Sequence, residues 1–257
     1  MRTNTVKQLL RQGRPAVGTW LVFPDPFAAQ IVARLGFDWV NVEMEHAPTD
    51  LETAALMFQA IAAAGSVPLV RVPWNTGENV KRVLDCGAWG VIFPMQNSVA
   101  EAEMAVAAVK HPPIGFRSIG GYLHAISFGT DLGTYYERAN EETLVVVQAE
   151  HIQAVERADE ILRVPGIDAV FIGPNDLSAS MGLKPSADCS DPRVAEAVEH
   201  VRVTALKHGV APGIHVMNGD DATRRIAEGF RFIALASDQR FMVAGARAEL
   251  GKVVREG

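Results

Sequence analysis

Two acidic residues, Glu150 and Asp176, each stand just past a short apolar run, Leu144–Gln148 and Ala169–Ile172. The runs are too short and too rich in valine and isoleucine to be helices. Between them Ile152, Val155, Ala158, Ile161 and Leu162 recur at helical spacing, and Gly166 closes the segment. That is one β-α-β unit, so its strands run parallel. As neighbours roughly 5 Å apart, they send both carboxylates out at the same end of a sheet. Carboxylate oxygens converging there make a seat for a hard divalent cation such as Mg2+ or Mn2+. Taken singly, each acid has a plainer reading: Glu150 as an acid at a helix start, Asp176 as a helix N-cap. The pair at equivalent strand ends, with Gln148 beside one of them, points to a metal.

Elements able to hold such a pair recur along the whole chain. Strands are expected at Ala16–Val22, Trp39–Glu43, Pro68–Val72, Gly90–Pro94, Leu144–Gln148, Ala169–Ile172, Ala211–Val216 and Phe232–Ala236. Helices are expected over 25–35, 50–64, 77–86, 98–109, 151–163, 192–208, 220–228 and 239–255. Gly65 falls where a helix end needs positive φ, and Thr49-Asp50-Leu51-Glu52 has the spacing of a capping box. Eight alternations within 257 residues imply one α/β domain over 1–257, a (β/α)8 barrel of the TIM type rather than an open sheet. The long connection 111–143, containing Gly115-Phe116-Arg117-Ser118-Ile119-Gly120-Gly121, breaks the rhythm. It folds across the barrel, contacts another subunit, or packs as an excursion with Tyr135 and Tyr136 on a short helix.

Composition narrows the class. A net charge of −6 without charged blocks excludes an obvious nucleic-acid or anionic-membrane partner. Cys86 and Cys189 lack metal or redox spacing, which fits a reducing, cytoplasmic setting. The N-terminal segment reads as a short amphipathic helix rather than a signal peptide, and no apolar run approaches the ~18 residues of a membrane span.

In a barrel, chemistry gathers at the carboxyl ends of the strands. Those ends carry Glu43, Glu45 and His46, then Arg71, Gln96, Gln148 with Glu150, Asn175 with Asp176, and His215. His46, facing acids and an arginine, suits a general acid/base. Arg71 leaves a buried strand, so it needs a core acid or an anionic substrate as partner. Asp85 ends a helix, where a carboxylate opposes the dipole and calls for a positive partner. None of the six lysines lies in an expected strand, which argues against a Schiff base. The seventh and eighth strand ends lack the paired glycines of a phosphate cradle, so the substrate is expected to be an unphosphorylated carboxylate.

Together, Glu45-His46-Ala47-Pro48, Arg71, Leu84-Asp85, Val147-Gln148-Ala149-Glu150 and the run Phe171 to Ser180 (FIGPNDLSAS) resemble the HpcH/HpaI aldolases. These are metal-dependent class II pyruvate aldolases of the phosphoenolpyruvate/pyruvate barrel superfamily. The resemblance runs from about Gln8 to the last helix. It implies a barrel whose last helix packs on a neighbouring subunit, in dimers assembled into a hexamer. Glu150 and Asp176 would ligate Mg2+ or Mn2+, with Co2+ a further option, and no organic cofactor is expected. His46 would be the acid/base residue paired with Asp85. Arg71 would contact the keto or enolate oxygen, with Gln148 beside it and Gly173, Pro174 and Asn175 along the substrate. The implied reaction makes or cleaves 4-hydroxy-2-oxo acids, with pyruvate or an analogue as enolate donor and an aldehyde as acceptor. Alternatives are an oxaloacetate decarboxylase or other C–C lyase using the same enolate, and a non-catalytic barrel. Met44, Asn175, His215 and the loop segment Gly120 to Ala125 depart from the family pattern where the aldehyde should bind. His124 and His215 are the candidates to touch it.

Overall fold

A computed structural model of the chain describes residues 1–255. Eight strands close into a parallel barrel in sequence order: β1 Ala16–Leu21, β2 Trp39–Glu43, β3 Val67–Arg71, β4 Gly90–Phe93, β5 Leu144–Ala149, β6 Ala169–Ile172, β7 Ala211–Val216 and β8 Phe232–Ser237. All eight expected strands form, three with unchanged bounds and five shifted by one residue at an end or, for β3, at both. Strands pair with their sequence neighbours, and β1 closes on β8. Val, Ile and Leu fill most strand positions because a barrel strand is covered on both faces.

One core lies between the strands and the outer helices. A second fills the barrel interior, where Trp39 stacks on Phe232 with centroids 4.3 Å apart. Gly18 makes room for that stack, since a Cβ there would sit 2.0 Å from the Trp39 ring. Each fully buried aliphatic side chain contributes roughly 1.5–3 kcal/mol.

Helical periodicity fails at two places. The span 151–163 is broken at Arg157 into Ile152–Glu156 and Ala158–Ile161. A helix not expected, Pro174–Ser180, starts directly after β6 with proline at its first turn. The helix at 50–64 is observed as Leu51–Ala64, capped by Asp50, not Thr49: Asp50 Oδ1 accepts from Thr53 N at 2.8 Å. Its other end turns through Gly65 at φ +96°.

The connection 111–143 folds as Leu123–Ser127 and Leu132–Glu142. It packs under the amino end of the barrel, not over the mouth. Trp89, which precedes β4, donates to Ser127 Oγ at 2.8 Å, and Asn4 N donates to Glu142 Oε2 at 2.7 Å. Two lysines are buried at this end, a feature hidden in the sequence because neither lies in a strand. Lys7 Nζ donates to Thr143 O and pairs with Asp168 at 2.9 Å, and Lys110 Nζ donates to Asn140 O and Thr143 O. Burial, with Lys7 beside it, lowers Lys110 to about 7. Both amines are committed to hydrogen bonds far from the strand mouths. Among the described residues no helix is long and apolar enough to cross a membrane.

Candidate active site

Parallel pairing of β5 and β6, with Ala149 opposite Ile172, brings Glu150 and Asp176 to the same barrel end. Both line one cavity of about 260 Å³, together with Glu43, His46, Arg71, Gln148, Gly173, Pro174, Asn175 and His215. Of the strand-end residues expected there, all but Glu45 and Gln96 line it.

Glu150 is nearly fully buried. Its Oε1 accepts from Met95 N at 2.8 Å, and its Oε2 accepts from Gln148 Nε2 at 2.7 Å. Met95 holds a left-handed φ of +52° to aim that N–H, a conformation costing about 1–2 kcal/mol in a non-glycine residue. Burial pushes the Glu150 carboxyl up to about 7; the Met95 N–H and Arg71 oppose the rise, while Glu45 and Asp176 add to it. Asp176 sits in the first turn of Pro174–Ser180, whose N-cap position is Gly173, so it is not the cap the sequence allowed. Its exposed carboxylate takes no protein hydrogen bond among the described residues.

Arg71 finds its acid partners on β2 and the turn after it. Nε lies 2.8 Å from Glu43 Oε2 and 3.1 Å from Glu45 Oε2, and the guanidinium sits 4.6 Å over the Trp20 ring. Its two terminal nitrogens make no hydrogen bond to the described protein, so the planar fork is held in place with its donors free. Glu43 also shapes the turn that carries His46, since its Oε1 accepts from Glu45 N at 2.7 Å and His46 N at 3.0 Å. The His46 ring is exposed at the rim, with Nε2 3.8 Å from Glu45 Oε2. Burial raises the Glu45 carboxyl, against the pull of Arg71 and His46.

Two expectations are corrected. Asp85 does not pair with His46 within the chain. It ends Gly77–Asp85, which runs back toward the amino end, and its Oδ1 accepts from Arg117 Nη2 at 2.8 Å. The positive partner demanded by the helix dipole is thus Arg117, which also donates to Tyr135 Oη at 2.9 Å. His124 is likewise buried at that end, 4.2 Å from the Tyr135 ring, and lines no part of the cavity. Gln96 turns away as well, accepting from Asn75 and donating to Pro94 O.

Trp20, Phe171 and Ser237 also line the cavity. Trp20 and Phe171 were not legible as site residues, because an aromatic inside a strand reads as core.

The arrangement fits a divalent cation. The donors are carboxylate oxygens, suited to a hard ion. Gln148 Oε1 is buried without a hydrogen-bond partner, so the site contains a polar atom awaiting a ligand. Gly173 leaves the space beside Glu150 open, since a Cβ there would come within 2.8 Å of Oε2. Among the described residues no group of three His, Cys, Asp or Glu side chains is placed to hold a metal ion by itself.

Residues 16–244 match the model of the HpcH/HpaI aldolase/citrate lyase family. The chain belongs to this family. It is 39% identical over 245 residues to a 4-hydroxy-2-oxo-heptane-1,7-dioate aldolase of Salmonella dublin, covering 95% of this chain and 92% of that one. An HpcH/HpaI aldolase/citrate lyase family protein from Burkholderia cenocepacia J2315 superposes with a TM-score of 0.91 at 35% identity, over 97% of this chain and 99% of the other. An HpcH/HpaI aldolase from Desulfitobacterium hafniense DCB-2 gives a TM-score of 0.87 at 29% identity, over 96% and 97%. In this family member the carboxylate pair, the locked arginine and the rim histidine all open onto one cavity.

Proposed function

We propose that the protein is a divalent-metal aldolase that cleaves or forms 4-hydroxy-2-oxo acids, joining pyruvate or an analogue to an aldehyde. One observation carries this reading: Arg71 has its Nε locked by two acids while its terminal N–H groups stay free beside Glu150 and Asp176. A fixed cationic fork next to a cation seat is complementary to a 2-oxo acid, and more so to its enolate.

Glu150 and Asp176 would hold the cation, Mg2+ or Mn2+, which when bound would supply charge stabilisation for the keto oxygen worth several kcal/mol. In cleavage, His46 takes the proton of the 4-hydroxyl, the C3–C4 bond breaks, and its electron pair moves into the enolate. Arg71 donates hydrogen bonds to the enolate oxygen, and Gln148 fixes the Glu150 carboxylate. Protonation at C3 then yields the 2-oxo acid, while the aldehyde leaves through the mouth. Gly173 to Asn175 form the wall along the substrate, and His215, held neutral by burial, stands at the end of the neighbouring strand β7.

Pyruvate release from a 4-hydroxy-2-oxo acid, with and without chelator, tests the reading. Loss of release with EDTA and in Glu150→Gln supports it. Carbon dioxide from oxaloacetate as the sole product would favour the decarboxylase, and no turnover of any 2-oxo acid would leave only a binding protein.

We also propose a homo-oligomer, a trimer of dimers built through the last helix. Asp238–Leu250 buries only its first residue and exposes Phe241, Met242, Val243 and Leu250. A neighbouring copy would cover that apolar face. Light scattering on Phe241→Asp tests this, with a smaller particle as the expected result.

A further inference from the structure

Met95 holds its left-handed φ of +52° in the turn after β4, where its N–H reaches Glu150 Oε1. A methionine gains nothing from that conformation by itself, so contacts around it must hold it there. The next residue supplies them. Gln96 is nearly fully buried, yet it lines no part of the catalytic cavity. Its Nε2 folds back to donate to Pro94 O at 2.6 Å, closing a ring across Met95. Its own N–H donates to Gln148 O at 3.3 Å, on the neighbouring strand β5.

A third segment, the loop between β3 and Gly77–Asp85, fixes the Gln96 amide. Asn75 in that loop donates from Nδ2 to Gln96 Oε1 at 2.8 Å and to Glu101 O at 2.9 Å. Glu101 closes the turn from its far side, its Oε2 accepting from Asn97 N at 2.8 Å and from Ser98 Oγ at 2.9 Å. Residues 94–98 are thus clamped between β5, the Asn75 loop and the first turn of Val99–Val109. Neither Asn75 nor Gln96 carries a charge or lines the catalytic cavity. What they control is the aim of the Met95 N–H. Two bonds orient the Glu150 carboxylate, Met95 N on one oxygen and Gln148 Nε2 on the other, so losing the first lets its plane swing.

We infer that Asn75 and Gln96 are positioning residues for the cation seat: their tether keeps Met95 in its left-handed conformation and so fixes the plane in which the Glu150 carboxylate meets the cation. The inference rests on the reading of Glu150 and Asp176 as cation ligands. Removing a partner that orients a metal-binding side chain costs about 10- to 100-fold in metal affinity. The tether acts one bond further out, so the lower end of that range is expected.

The test titrates Mn2+ into the unaltered protein, Gln96→Met and Asn75→Leu by calorimetry. Both variants keep the side-chain volume and cut the tether, from opposite ends. Each should raise the Mn2+ Kd about tenfold. Adding Met95→Asn to Gln96→Met should recover part of the affinity, because asparagine accepts positive φ more readily than methionine. A general loss of packing would not respond to that change. In EDTA, hydrogen exchange over residues 94–98 should quicken in both variants while Val91 to Phe93 in β4 stay protected, which reads the tether without any metal. A Kd unmoved in either variant, no recovery with Met95→Asn, or unchanged exchange over 94–98 overturns the inference alone. Absence of Mn2+ binding by the unaltered protein overturns the cation reading, and the inference with it.

Discussion

Replacing Glu150 with glutamine should stabilise the metal-free fold while abolishing cation binding. In the chelated protein burial holds the Glu150 carboxyl at about 7, against 4.5 in the unfolded chain. A raised pKa means that the folded state binds the proton more tightly. Below pH 4.5 the group is protonated in both states and has no effect on stability. Between 4.5 and about 7 stability falls as the pH rises, and above that the loss is complete. At 1.36 kcal/mol per unit, the loss amounts to about 3 kcal/mol. Glutamine is neutral throughout and avoids it. The bond from Met95 N survives, and Gln148 can turn its amide to present the Oε1 that now lacks a partner. In EDTA at about pH 8, urea unfolding should show Glu150→Gln more stable by about 2–3 kcal/mol, or roughly 4–10 °C in Tm. At about pH 4 the difference should vanish. Adding Mn2+ at about 100 times its Kd should return about 2.7 kcal/mol to the unaltered protein alone. A variant less stable in EDTA at the higher pH, or a difference equal at both, would refute the account of Glu150 as a buried carboxylate that needs a counter-charge.

Three further outcomes follow from the same geometry. His46→Gln should lower kcat by about 10²- to 10⁴-fold, measured as pyruvate release, because it removes the group that takes the 4-hydroxyl proton. Gly173→Ala would place a Cβ 2.8 Å from Glu150 Oε2, so cation affinity by calorimetry should drop; unchanged affinity would show that Glu150 is free to shift. Arg117→Met leaves Asp85 without its partner and removes the bond to Tyr135, so urea unfolding should show a loss of about 2–4 kcal/mol, less than for a fully buried pair because Asp85 is partly exposed.

The order of eight strands, their parallel sense and the convergence of Glu150, Asp176, Arg71, His46 and His215 on one cavity were legible in the amino-acid sequence. Strand and helix periods differ, and βα units put every strand end on one face, so local pattern carries that information. The partners of those residues were not legible. Nothing local says that Arg71 is locked by Glu43 and Glu45 over Trp20, or that Met95 bends its backbone to serve Glu150. The same holds for Asp85: its helix position demanded a cation, and the sequence-level pairing with His46 gave way to Arg117, brought up by the 111–143 connection at the other end of the barrel. Whether an acid is desolvated, and which charge lies beside it, depends on contacts between residues far apart in the chain, which tertiary packing alone decides.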